Sequence, residues 1–265
     1  MTPSQRYFFD VAGYLHIKNA LTEKELSDGR LACERYMKLE DNQFPNGFGK
    51  DGKRYINGFA FDRSLERLVF HPSTWPVIME LTNGKPKLVS GTLQIDQPGA
   101  EGGGLHCARD DYGWESCRYE VKNSRIYCDN FVVFPYFDDV LPGDGGLLLV
   151  PGSHKAQFER PRHLFQDGHP SDSTNLPEGI INVTPKAGDI LVMPELMTHG
   201  ILPWQPTDRL RRILVLRYAP QYRGGGGVPE SLEGRLLPET KELMSSAHYT
   251  HVKTITEIEP NLLQD

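Results

Sequence analysis

Cysteine is scarce in this chain. Its four thiols, Cys33, Cys107, Cys117 and Cys128, include no CxxC pair. They read as reduced thiols of a cytoplasmic enzyme rather than as a disulfide framework. No apolar run approaches the ~20 residues that span a bilayer. The first ten residues lack the basic-then-apolar pattern of a secretory signal, so none is expected. A basic excess is missing too. The formal charge is −6 and the pI about 5.9, which argues against a nucleic-acid footprint. No internal repeat is present.

What is there suits a soluble globular protein: 38% hydrophobic and 24% charged residues. At 265 residues, one domain over 1–265 is expected, because β-rich folds of about 200–250 residues commonly form one unit. The 26 Gly and 20 Pro predict many turns. A short strand is expected over 14–17. Thr22 and Glu25 fit a capping box, with a helix of about 18 residues running to Glu40. Short helices are expected over 64–70 and 74–81. Residues 1–84 therefore read as a helical N-terminal portion.

From residue 87 the texture becomes β. Strands are expected over 87–95, 125–137 (one long, aromatic-rich strand), 146–150, 179–183, 189–193, 199–202 and 212–218. Turn chemistry separates them, as in Pro142-Gly143-Asp144-Gly145-Gly146 and Pro151-Gly152. Many short strands with Gly/Pro turns predict a sandwich or barrel, with the N-terminal helices packed on one sheet. Gly224–Gly227 reads as a flexible linker, and 223–265 as a polar tail without assigned function.

Nine histidines are present. His16, His71, His163, His169, His248 and His251 lie in loops or alternating segments and need no special role. His154 ends a strand in a turn and reads as structural. His106 and His199 differ in context. His106 follows Gly102-Gly103-Gly104-Leu105, and adjacent Cys107 points to the opposite face. His199 follows the strand at 189–193 across a tight turn, with Arg211 and Arg212 opening the next strand.

Four segments in this order carry a family resemblance: Gly143 through Lys155, Ala187-Gly188-Asp189-Ile190-Leu191, His199-Gly200 and Arg211-Arg212-Ile213. Over roughly 85–220 the chain resembles the phytanoyl-CoA dioxygenase family, Fe(II)- and 2-oxoglutarate-dependent oxygenases. The resemblance implies a mainly β fold, a double-stranded β-helix (a cupin-like jelly roll). It implies iron on His106 and His199, with 2-oxoglutarate and O2 as co-substrates. Such centres bind iron with two His and one carboxylate on one face. The family's arginine for the distal carboxylate of 2-oxoglutarate maps to Arg211, since Arg holds a carboxylate with a two-pronged fork. Arg212 then faces the other way. Phe134 matches an aromatic beside the co-substrate, and Asn130, on the same face by alternation, is a candidate donor to it.

The chain departs from the family at its carboxylate. His-x-Asp is replaced by His106-Cys107-Ala108. Four readings are open. Glu195, or Asp110 as its rival, supplies the third ligand; Glu195 reads equally as a carboxylate orienting His199, and Asp110 as a solvated loop acid. Alternatively, Ala108 leaves a vacancy for chloride, as in related iron halogenases. Or water or substrate fills the position. Or metal binding is lost and the jelly roll only binds a ligand. The leading expectation is an enzyme that hydroxylates an unactivated C–H bond of a small molecule, turning 2-oxoglutarate into succinate and CO2. Loops 99–125 and 155–180 are expected to form the pocket mouth. They carry Arg109, Arg118, Arg125, Arg160, Arg162, Trp114 and Tyr119, a basic, aromatic rim suited to an anionic substrate. No nucleic-acid or membrane partner is expected, and the sequence does not fix an oligomeric state.

Overall fold

The computed structural model describes residues 1–112, 117–158, 160–161 and 176–245. His163, His169, Arg162, Trp114, His248 and His251 lie outside them. Among the described residues, no helix is long and apolar enough to cross a membrane.

The chain begins with α1 (Pro3–Ala12), β1 (Leu15–Ile17) and α2 (Glu23–Met37). β2 (Gly49–Asp51), β3 (Arg54–Ile56), α3 (Arg63–Arg67) and α4 (Trp75–Leu81) follow. Next come β4 (Pro86–Asp96), β5 (Gly103–His106), α5 (Ala108–Tyr112), β6 (Tyr119–Lys122), β7 (Arg125–Cys128) and β8 (Phe131–Pro135). β9 (Gly146–Leu149), β10 (Ile181–Asn182), β11 (Ile190–Pro194), β12 (His199–Leu202), β13 (Arg211–Pro220) and α6 (Pro238–Met244) complete it.

Two antiparallel sheets face each other as a jelly roll. The larger has seven strands in the order β1-β11-β8-β13-β4-β3-β2, and the smaller has the order β10-β9-β12-β5. Strand alternation sorts the large sheet's side chains into two cores. Val132, Leu191, Met193, Ile213 and Val215 point between the sheets, onto Leu147 and Leu149 of the small one. Val133, Ile190, Val192, Leu214 and Leu216 point outward, under Phe9, Leu26, Tyr36, Leu65 and Leu81 of the N-terminal helices. β11 is apolar at every position because both of its faces are covered. The helices thus pack on one sheet, as the sequence predicts.

Thr22 caps α2 with a complete capping box on Glu25. The helix stops at Met37, short of the expected Glu40. Residues 1–84 are not purely helical either: β1, β2 and β3 extend the large sheet. The long strand expected over 125–137 is broken. Asp129 accepts a hydrogen bond from the Arg118 N–H (3.1 Å) and one from the Tyr222 hydroxyl. The break leaves β7 in a hairpin with β6 while β8 enters the large sheet. Gly224–Gly227 is not a free linker. The Lys87 ammonium donates to the carbonyls of Gly224 (3.1 Å) and Gly225. Beyond it, Leu232, Leu236, Leu243 and Met244 join the helical core, so the described part of the tail is structural.

Asp189 ties the N-terminal portion to the jelly roll. Its carboxylate accepts from the Asn19 N–H (2.8 Å), the Lys186 N–H (2.9 Å) and the His16 ring (2.7 Å). Burial pushes its pKa up, but these donors pull it below the ordinary carboxylate value. A depressed folded pKa stabilises the protein above the unfolded value of about 3.9 and is lost as pH falls through the folded one. We expect Asp189→Asn to cost about 1–3 kcal/mol at pH 7 by urea denaturation. The gap from wild type should shrink on acidification below pH 4; a pH-independent gap would contradict this account.

Candidate active site

β5 and β12 pair directly, with His199 opposite His106 and Ile201 opposite Gly103 across a register shift. A bulge of this kind re-aims side chains at a site. The close approach depends on the glycines. A Cβ on Gly102 would meet the Ile201 carbonyl oxygen at 2.4 Å, and one on Gly200 the Gly103 oxygen at 3.0 Å. The glycine run before His106 is therefore a packing requirement of the site.

The two imidazole rings lie 4.3 Å apart between centroids, tilted by 52°. Both face one cavity between the sheets. The His106 Nδ1 lies 2.9 Å from the Gly104 carbonyl and the His199 Nδ1 2.8 Å from the Met197 carbonyl. A carbonyl only accepts, so each Nδ1 carries the proton and each Nε2 keeps its lone pair. This is the tautomer a metal-binding histidine needs, held by backbone. Burial and the facing His106 push the His199 pKa well below the ordinary imidazole value, which keeps that ring neutral.

The two expected third ligands each carry an ion pair. Glu195 lines the cavity, but its carboxylate accepts from Arg217 Nε at 2.8 Å. Asp110 accepts from the Cys107 N–H (2.9 Å) and pairs with Arg160. Ala108 donates its N–H to the Glu195 carbonyl (2.9 Å) and offers only a methyl side chain. Among the described residues, no three His, Cys, Asp or Glu side chains are grouped to hold one ion.

Arg211 and Arg212 separate as alternation predicts. Arg212 faces outward and grips Asp138 with Nε (2.8 Å) and Nη2 (2.7 Å). Arg211 lines the cavity at 1% exposure. Its Nε and Nη2 donate to Asp96 Oδ2 at 3.0 and 2.9 Å, while its Nη1 is buried without a partner. A Cβ on Gly146, where φ is +86°, would fall 2.4 Å from that Nη1. The glycine keeps clear the space into which the spare donor points. A buried, unsatisfied guanidinium nitrogen suits an incoming carboxylate. The residues present therefore fit both groups of the expected chemistry: two metal-ready imidazoles and a carboxylate-ready arginine in one cavity.

Phe134 lines the cavity as expected. Asn130 does not. Its amide donates to Cys117 Sγ (3.4 Å) and its carbonyl accepts from the Glu195 N–H (3.0 Å). It sits before β8 starts, so the alternation does not reach back to it. The basic rim is also revised. Arg109 donates to the backbone carbonyls of His154 (2.8 Å) and Ala156 (2.9 Å). Arg118 donates to the Tyr222 hydroxyl, and the Tyr119 hydroxyl to Asp10, both at 3.0 Å. These side chains brace loops and do not line the cavity. His154 is fully buried, edge-on to Tyr119 at 4.5 Å, as a packed core residue.

Among the cavity's polar lining residues, sequence reasoning missed Arg54, Gln94, Tyr136 and Arg217. Two were within reach of strand alternation. Tyr136 shares the parity of Phe134, and Arg217 that of Arg211.

Comparisons with known proteins identify the family and the fold. Residues 9–203 match the family model described as phytanoyl-CoA dioxygenase (PhyH). A probable phytanoyl-CoA dioxygenase of Caenorhabditis elegans is 23% identical over 244 residues, covering 83% of this chain and 75% of that protein. HygX from Streptomyces hygroscopicus, crystallised with nickel and 2-oxoglutarate, superposes with a TM-score of 0.68. It is 23% identical over 83% of this chain and 87% of its own. The 2-oxoglutarate-dependent carbocyclase SnoK of nogalamycin biosynthesis gives a TM-score of 0.60 at 19% identity, covering 90% of this chain and 92% of its own. With the family's model spanning most of its length, this chain belongs to the phytanoyl-CoA dioxygenase family and is an Fe(II)- and 2-oxoglutarate-dependent oxygenase.

Proposed function

We propose that the enzyme hydroxylates an unactivated C–H bond of a small molecule at a two-histidine iron centre. His106 and His199 are its protein ligands, and the position beside Ala108 is left to a non-protein ligand such as water. One oxygen of O2 enters the product and the other enters succinate, as 2-oxoglutarate loses CO2. The iron, when bound, supplies the activation of O2. The chain supplies the rest. The carbonyls of Gly104 and Met197 hold both rings in the binding tautomer. Arg211 receives the distal carboxylate of 2-oxoglutarate through its spare Nη1, and Asp96 fixes the plane of the fork. Val132, Phe134, Ile213 and Val215 form an apolar wall beside the reacting carbon. The observation that carries this reading is the pairing of two Nδ1-anchored imidazoles on one cavity with a buried guanidinium whose Nη1 is unsatisfied.

Glu195 acts here as a neighbour of His199 rather than as a ligand, because Arg217 holds its carboxylate. Halogenation is the second reading, and it rests on Ala108. With no carboxylate at that place, an anion gains both the space and the charge balance to bind there.

The test begins anaerobically with Fe(II) and 2-oxoglutarate. The weak visible charge-transfer band of the chelate should appear and should vanish in His106→Ala and His199→Ala. If iron binding survives both substitutions, the site is misassigned. When O2 is admitted in chloride buffer with a turned-over substrate, mass spectrometry separates a product one oxygen heavier from one bearing chlorine.

Arg211→Lys keeps the charge and loses the fork. It should raise the KM for 2-oxoglutarate about tenfold or more, a loss of roughly 1.4 kcal/mol, with the fold retained. Arg211→Ala is the poorer probe, since stripping a buried pair of one partner costs about 3–5 kcal/mol of stability. An unchanged KM in the lysine variant would remove Arg211 from the co-substrate site.

A further inference from the structure

Among the described residues, three guanidiniums line the cavity: Arg211, Arg217 and Arg54. Arg211 is matched by Asp96, and Arg217 by Glu195. Arg54 has no hydrogen-bond or ion-pair partner among the described residues. We propose that Arg54 is the substrate-recognition residue and that the substrate carries an oxyanion, a carboxylate or a phosphate, which Arg54 receives. This rests on the oxygenase reading above and adds the substrate's chemical class to it.

Local structure gives Arg54 its place. It opens β3, paired with Gln94 of β4. The next residue, Tyr55, is buried on the helical side, edge-on to Tyr36 at 5.1 Å. Alternation therefore turns Arg54 to the cavity face. The strand is pinned on both sides of it. The Lys53 ammonium donates to the Glu101 carbonyl (2.8 Å) and lies 3.2 Å from Asp96 Oδ1. Across the sheet the row continues from Gln94 to Ile213 and, by an isolated bridge, to Tyr136. Arg54 thus stands at the margin of the cavity floor on a fixed backbone, with its own side chain exposed and uncommitted.

Charge points the same way. Counting Lys53, four cations meet two carboxylates, Asp96 and Glu195. Among the described residues, Arg54 is the one of the four with no carboxylate beside it. A guanidinium offers two parallel N–H donors, a geometry matched by a carboxylate or phosphate and not by a neutral amide. Arg211 is separate from this role: it is buried and held by Asp96, and on the reading above its spare donor takes 2-oxoglutarate.

The test uses the anaerobic Fe(II)/2-oxoglutarate protein titrated with hexanoate, hexyl phosphate and hexanamide, read by the shift of the visible band. Wild type should bind at least one of the two anions ten or more times tighter than the amide. Whichever anion is preferred names the oxyanion. Arg54→Gln should bring that anion down to the level of the amide, Arg54→Lys should retain part of the preference, and both should bind 2-oxoglutarate within about twofold of wild type. The proposal is overturned by equal binding of anions and amide, by failure of all three to bind, or by Arg54→Gln leaving anion affinity unchanged. It is also overturned if Arg54→Gln weakens 2-oxoglutarate tenfold, which would make Arg54 a co-substrate residue. Should the band never form, the oxygenase reading fails instead. Calorimetry of the same three compounds on the metal-free protein then decides on Arg54 alone.

Discussion

The contact between β5 and β12 is the constraint on which the chemistry depends. Antiparallel pairing sets His106 against His199, and the glycines at 102 and 200 let the two backbones come close enough to do so. Backbone carbonyls then choose the tautomer. No side chain has to be recruited to orient the rings, so the centre is prepared by the ladder itself. The same pairing brings the two imidazoles together without using position 108, where alanine replaces the family's aspartate.

A single strand, β13, organises the other half of the cavity. Its inward residues are Arg211, Ile213, Val215 and Arg217, and its outward residues Leu214, Leu216 and Tyr218 belong to the helical core. The strand therefore carries a cation at each end of an apolar middle on one face and a hydrophobic anchor on the other. Packing against the helices fixes its register, and a slip of one residue would bury Arg212 in the cavity and turn Arg211 toward the helices. Stability and function are linked through that alternation, because the leucines that hold the sheet to the helices also aim the arginines.

Much of this was legible in the sequence. The jelly roll, the capping box at Thr22, the strands at 87–95 and 199–202, and the inward choice of Arg211 over Arg212 follow from local pattern and from the family resemblance. What failed did so for tertiary reasons. Alternation could not show that Asp129 breaks the 125–137 run, because the break is set by partners outside the run, Arg118 and the distant Tyr222. Arg109 and Arg118 gave no sign that they serve backbone carbonyls and a tyrosine hydroxyl rather than a pocket. Gly224–Gly227 carries the composition of a linker, yet Lys87 holds it. Arg54 was invisible because a three-residue strand leaves almost no periodic signal, and its meaning comes from Tyr55 being buried beside it.

The central claim is that both rings present an unprotonated Nε2 to one ion. Nitrogen-15 NMR of the histidine side chains in metal-free protein at neutral pH tests it most directly, with diamagnetic Zn(II) added afterwards. The account predicts that His106 and His199 both carry their proton on Nδ1, and that one equivalent of Zn(II) moves both Nε2 resonances together. A ring protonated on Nε2, or a zinc titration that shifts only one of the two, would contradict it.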